Sequence, residues 1–136
     1  MLTERDRIRV VVAGVDAPSM AAAVESAGGS LVQAAALGDM QAARLIKTGR
    51  ADYYLGTCWS GGGGALAAAT AILGTHQVAI VGTPGMPVKG EKVSRALADG
   101  CRAFGFPYEQ TKTAVPTIMQ AILEHRASSA ADEESG

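Results

Sequence analysis

Aromatic side chains are scarce in this 136-residue chain: two Phe, three Tyr and one Trp make up 4% of it. The core implied by the 48% hydrophobic content must therefore be built from Ala, Val, Ile and Leu, which favours helices packed tightly on a sheet. An excess of charge of either sign is missing too, because 12 Lys and Arg face 13 Asp and Glu for a formal net charge of −1. That balance gives no general attraction for nucleic acid or an anionic membrane, and neither is expected as a partner. There is no long apolar run. The most apolar stretch, Ala65 to Val81, is broken at Gly74-Thr75-His76-Gln77, too early for a membrane-spanning helix. The first residues, Met1-Leu2-Thr3-Glu4-Arg5-Asp6-Arg7, mix charges without an apolar segment, so no secretory signal is read and a cytoplasmic location is expected. Only two cysteines occur, Cys58 and Cys101, and both are expected as reduced thiols. No Cys, His or carboxylate cluster has metal-ligand spacing, so no metal is expected. Neither a G-x-G-x-x-G with a downstream ribose acid nor a G-K-S/T ending is present, which argues against NAD and ATP and leaves no expected cofactor.

What is there is an alternation of strand-like and helix-like segments. Ile8 to Ala13 is a β-branched run ending at Gly14 and reads as a strand buried on both faces. Pro18 to Ala27 reads as a helix stopped by Gly28-Gly29, Leu31 to Leu37 as a second strand, and Asp39 as the cap of a helix closed by Gly49. Tyr53 to Thr57 is the third strand, Gly64 to Leu73 the third helix and Val78 to Val81 the fourth strand. Beyond the loop Gly82-Thr83-Pro84-Gly85-Met86-Pro87, a fourth helix carries Val93, Ala96 and Leu97. A short strand near Ala103 to Phe106 follows, then a last helix from about Thr113 with Pro116 in its first turn. Such units predict one three-layer α/β domain of Rossmann-like type over residues 1–126, with a parallel sheet of four to five strands. The Ala, Ser, Asp, Glu and Gly of residues 127–136 predict a disordered acidic tail.

Ligands of such sheets bind at the carboxyl ends of the strands where the strand order reverses, which directs attention to the loops after strands one, three and four. These hold Asp16, the segment Cys58-Trp59-Ser60-Gly61-Gly62-Gly63-Gly64, and Thr83 to Lys89. Four glycines at a helix start leave N–H groups pointing outward along the positive end of the helix dipole, the arrangement that binds phosphate or carboxylate. The bland reading is a tight turn and close helix–sheet packing. Cys58, before that helix, stands where a thiol pKa falls and a nucleophile or base results, although a buried small hydrophobe reads equally well. Ser60 offers its hydroxyl to an anion or caps the third helix. Asp16 either caps the first helix or faces a ligand hydroxyl, and Lys89 either reaches a phosphate or is solvated. Trp59 would cover a ligand or pack as a lid. The function read from these residues is binding of a small anionic, phosphorylated metabolite at Asp16, Ser60, Gly61, Gly62, Gly63, Gly64 and Lys89, with Cys58 at the reactive centre; a homo-oligomer is compatible with this.

The segment Asp52-Tyr53-Tyr54-Leu55-Gly56-x-Cys58-x-x-Gly61-x-Gly63-x-Ala65-Leu66, with Thr83-Pro84-Gly85 and Ala103-Phe104-Gly105 downstream, resembles the YhfU-like bacterial family of unknown function from about Ile8 to Leu123. A more distant likeness is mechanistically richer. Cys58-x-x-Gly61-x-Gly63 is similar to the C-G-T-G-x-G loop of the ribose-5-phosphate isomerase B and galactose-6-phosphate isomerase family, and Gly14-x-Asp16 to its G-x-D-H segment. That resemblance implies Cys58 as the base that takes a proton from a sugar carbon and the glycine loop as the stabiliser of an enediolate. Ser94-Arg95 and Phe104-Gly105 resemble later residues of the same family. Ala17 stands where that family has histidine, and no histidine lies in the helix before Phe104, so its ring-opening and phosphate-binding histidines have no counterpart. The C-x-x-G start of the loop also resembles phosphotransferase-system IIB domains, which would imply a phosphorylated Cys58; there, however, the loop follows the first strand.

Overall fold

The computed structural model describes residues 7–58 and 64–135. Strands β1 (Ile8–Gly14), β2 (Val32–Ala36), β3 (Tyr53–Cys58), β4 (Val78–Ile80) and β5 (Ala103–Pro107) alternate with helices α1 (Ala17–Gly28), α2 (Asp39–Lys47), α3 (Gly64–Leu73), α4 (Gly90–Ala98) and α5 (Thr111–Ser135). All five strands are parallel, in the order β2-β1-β3-β5-β4. The chain is thus the three-layer α/β domain its alternation predicts. Its last strand, however, is inserted between the third and the fourth.

The β-branched run of β1 is buried on both sides because its side chains alternate between two cores. Ile8, Val10 and Val12 join Tyr53, Leu55, Phe104 and Phe106 beneath α1, α4 and α5. Val11 and Ala13 join Tyr54 and Ala103 beneath α2 and α3. Five of the six aromatic rings fall among the described residues, and four of these are buried in the two cores. Burial, followed by the nearby negative charge of Asp39, pushes the Tyr54 phenol well above its ordinary pKa.

The last helix begins two residues earlier than its apolar spacing predicts, so Pro116 falls in its second turn. Ala114, Val115, Ile118, Met119 and Ile122 press it onto the sheet. It continues through residues 127–135, where composition predicts a tail without structure. Alanine and glutamate propagate a helix once packing upstream has nucleated it.

Candidate functional site

The two middle strands are clipped together at their carboxyl ends. Gly14 lies opposite Thr57 in the β1–β3 ladder, and its φ of +111° together with a Cβ that would stand 2.0 Å from the Thr57 carbonyl oxygen leaves room only for glycine. The Val15 amide donates to that same carbonyl at 3.4 Å. The Thr57 hydroxyl, 2% exposed, donates to the Val15 carbonyl at 2.9 Å.

This clip aims Asp16. The residue adopts φ 53°, ψ 47°, the one left-handed non-glycine conformation among the described residues, at a cost of roughly 1 kcal/mol. It occupies the N-cap position of α1, yet its carboxylate makes no cap hydrogen bond. Instead its Oδ2 accepts from the Tyr108 hydroxyl at 3.4 Å. Of the two roles the sequence left open for Asp16, capping is therefore not the one its side chain performs.

Tyr108 sits in the turn that joins β5 to α5 (Tyr108–Gln110). Because β5 lies beside β3, this turn stands at the centre of the carboxyl edge and reaches both ways. Tyr108 extends to the β1 loop, while Gln110 donates from Nε2 to the Thr83 carbonyl at 2.8 Å and the Met86 carbonyl at 3.3 Å of the loop after β4. Gly82 makes room for that clamp, since a Cβ there would meet Gln110 Oε1 at 2.5 Å. Both residues lie outside the loops after strands one, three and four, because the place of β5 between β3 and β4 is not marked in the sequence.

Cys58 is the last residue of β3, paired in register with Pro107, so its backbone lies between the Asp16 and Tyr108 loops. Gly64 opens α3. Trp59, Ser60, Gly61, Gly62 and Gly63 lie outside the described residues, and the anion cradle expected of them is not tested by the geometry. The chain leaves β1 and β5 toward one face of the sheet and β3 toward the other, which puts Cys58, at the carboxyl end of β3, beside the reversal of strand order that α/β sheets use for ligands. Lys89 is not brought to Asp16. It precedes α4 at the far edge and lines a small hollow of about 110 Å³ with Gly82, Thr83 and Lys92. A hollow of about 430 Å³ lies instead between Asp16 and the start of α5. A larger one, about 550 Å³, runs between α3 and β4, but Leu66, Ala67, Ala71, Val78 and Ile80 with two threonines offer no charged group to recognise a metabolite. Among the described residues no group of three His, Cys, Asp or Glu is placed to hold a metal, and no helix is long and apolar enough to cross a membrane.

Comparison with known proteins places this fold in a family. Residues 8–122 match the family described as protein of unknown function DUF2620, and the chain belongs to it. The uncharacterized protein YhfU of Escherichia coli K12 is 31% identical over 114 residues, covering 84% of this chain and 97% of that protein, and the same figures hold for YhfU of Shigella flexneri. Among solved structures, the type B ribose 5-phosphate isomerase of Trypanosoma brucei superposes with a TM-score of 0.66 at 15% identity over 85% of each chain. That of Trypanosoma cruzi gives 0.63 at 10% identity over 96% of this chain and 99% of that one. Ribose-5-phosphate isomerase B of Giardia lamblia gives 0.63 at 15% over 85% and 94%. At these identities the likeness is one of fold.

Proposed function

We propose that this member of the DUF2620 family binds a small phosphorylated metabolite at the carboxyl edge of its sheet, in the crevice between the loops after β1, β3 and β5. The observation that carries the reading is Asp16, held in a left-handed conformation with its carboxylate turned away from the helix it precedes and toward Tyr108. Strain of this kind persists where surrounding structure imposes it, and it clusters at ligand sites. The glycine run of the β3–α3 loop supplies backbone amides for the anion, and Asp16 meets a hydroxyl. The fold shared with proteins whose names state an action on ribose 5-phosphate supports a sugar phosphate as the ligand class.

A panel of sugar phosphates and other anionic metabolites read by thermal shift tests this. A ligand present at a hundredfold excess over its Kd adds about 2.7 kcal/mol of stability. One class of phosphorylated compound is expected to raise the melting temperature in a concentration-dependent manner, and a panel without any such response would remove the reading.

A second reading is favoured by the position of Cys58 at the end of the central strand, between the Asp16 and Tyr108 loops. A thiolate there would take the proton from the carbon next to a substrate carbonyl, leaving an enediolate that is reprotonated at the neighbouring carbon. Ala17, only 8% exposed in the core beneath α1, supplies no imidazole for opening a sugar ring, so an open-chain substrate suits this site better than a cyclic one. Wild type is expected to exchange a substrate proton with deuterated solvent while Cys58→Ser binds without exchange; no exchange by wild type rules the enzyme reading out. No geometric observation favours the phosphocysteine alternative.

A further inference from the structure

The hollow of about 430 Å³ at the seam of α1 and α5 has Ala23 in its wall and, as polar lining, Asp16, Ser19, Tyr108, Glu109, Thr111 and Lys112, of which only Asp16 belongs to the loops singled out from the sequence. Its chemistry differs from that of an anion cradle. The lining residues include two carboxylates and one ammonium, a formal charge of −1, and a second anion entering would meet net repulsion. The one ion pair among the described residues is Arg9–Asp52, at the opposite end of the sheet. Glu109 and Lys112 therefore retain hydrogen-bonding capacity toward a guest. The Tyr108 hydroxyl and Asp16 Oδ2 are 3.4 Å apart, wider than the 2.5–3.0 Å of a good O–H···O bond. A guest hydroxyl seated between them could donate to the carboxylate and accept from the phenol at shorter distances. The wall is mostly side-chain carbon, Ala23 included, with carboxylates, a phenol, hydroxyls and an ammonium set into it, which matches a carbon chain that carries several hydroxyls, each both donor and acceptor.

We infer that this hollow is the subsite for the uncharged, polyhydroxylated end of the ligand. By the net charge of its lining it excludes the phosphate. The inference rests on the reading above in taking the ligand to be phosphorylated at its other end, while recognition of the polyol by the hollow can be measured without any phosphate. Glu109 and Tyr108 then select for chain hydroxyls, and Lys112 donates to a hydroxyl at the outer rim.

The test uses the full chain and three probes: ribitol, ribitol 5-phosphate and inorganic phosphate. In backbone-amide NMR spectra, millimolar ribitol is expected to shift the amides of residues 16, 17, 19–23 and 108–112, whereas inorganic phosphate leaves them in place. Calorimetry with ribitol 5-phosphate is expected to show Tyr108→Phe and Glu109→Gln each weakening binding by about tenfold, with binding of inorganic phosphate unchanged. Both side chains reach the surface, so the variants are expected to fold, and a circular dichroism melt verifies it. Ribitol shifting these amides while phosphate binds nowhere would uphold the subsite and defeat the anion reading. Phosphate binding with no ribitol response at these residues would overturn the subsite alone. Phosphate shifting residues 108–112, or both variants binding ribitol 5-phosphate as wild type does, would also overturn it.

Discussion

The two ends of the sheet are built differently. At the amino end, polar groups are closely paired across neighbouring strands. The Arg9 amide donates to Asp52 Oδ2 at 2.8 Å and the Asp52 amide returns a bond to the Arg9 carbonyl at 2.8 Å, while the Arg9 guanidinium reaches the Gly49 carbonyl at 2.9 Å. Arg102 completes the network by donating to the carbonyls of Asp52 and Ala51 at 3.1 and 3.0 Å. Cys101 donates to the His76 carbonyl at this end too, and burial followed by the charge of Asp99 pushes its thiol pKa up, away from a reactive state. At the carboxyl end the Asp16–Tyr108 contact is long, Asp16 is strained, and hollows open beside the turns. Both ends carry charged residues. The difference is that Arg9, Asp52 and Arg102 of the amino end are spent largely on the protein's own backbone, whereas Asp16, Glu109 and Lys112 of the carboxyl end border an open hollow. On the proposed function, stability and binding fall to opposite edges of one sheet.

The comparison can be broken most forcefully at Gly14, where the carboxyl edge makes its tightest structural demand. Gly14→Ala places a methyl against the Thr57 carbonyl at a φ only glycine tolerates well, and a loss on the order of 4 kcal/mol is expected, read as a collapse of folded yield or of the melting temperature. A mild effect would mean that the β1–β3 clip does not hold Asp16 in place. A smaller loss, about 1–3 kcal/mol, is expected for Asp52→Ala, which strips the Arg9 amide and guanidinium of their acceptor. Any ligand found by thermal shift should bind that variant with wild-type affinity. A weakened affinity at intact fold would show that the two edges are not separable.

Much of this architecture is legible in the chain. The β-branched run before Gly14, the Gly28-Gly29 stop and the Ala/Leu helix after Gly64 report buried strands and packed helices directly, because hydrophobic period and glycine stops are local properties. Asp16 could be found from its place just after a strand. Its left-handed backbone could not, because it is imposed by Gly14 packing on Thr57, 43 residues away in sequence. Tyr108 and Gln110 were hidden for a related reason. Their position depends on β5 inserting between β3 and β4, a choice set by which strands bury the larger apolar faces, here Phe104 and Phe106 against α5, rather than by any motif in the turn itself. Lys89, in the loop after β4, lies one strand further out for the same reason.

The central claim, that the carboxyl edge gives up stability to hold Asp16 toward a ligand, is tested most directly by the urea unfolding free energy of Asp16→Gly without ligand. Glycine relieves the left-handed backbone, and the side chain it removes neither caps α1 nor makes a short hydrogen bond. The variant is expected to be more stable than wild type by up to about 1 kcal/mol. A variant less stable than wild type would show that the Asp16 side chain serves the fold, and would contradict the account.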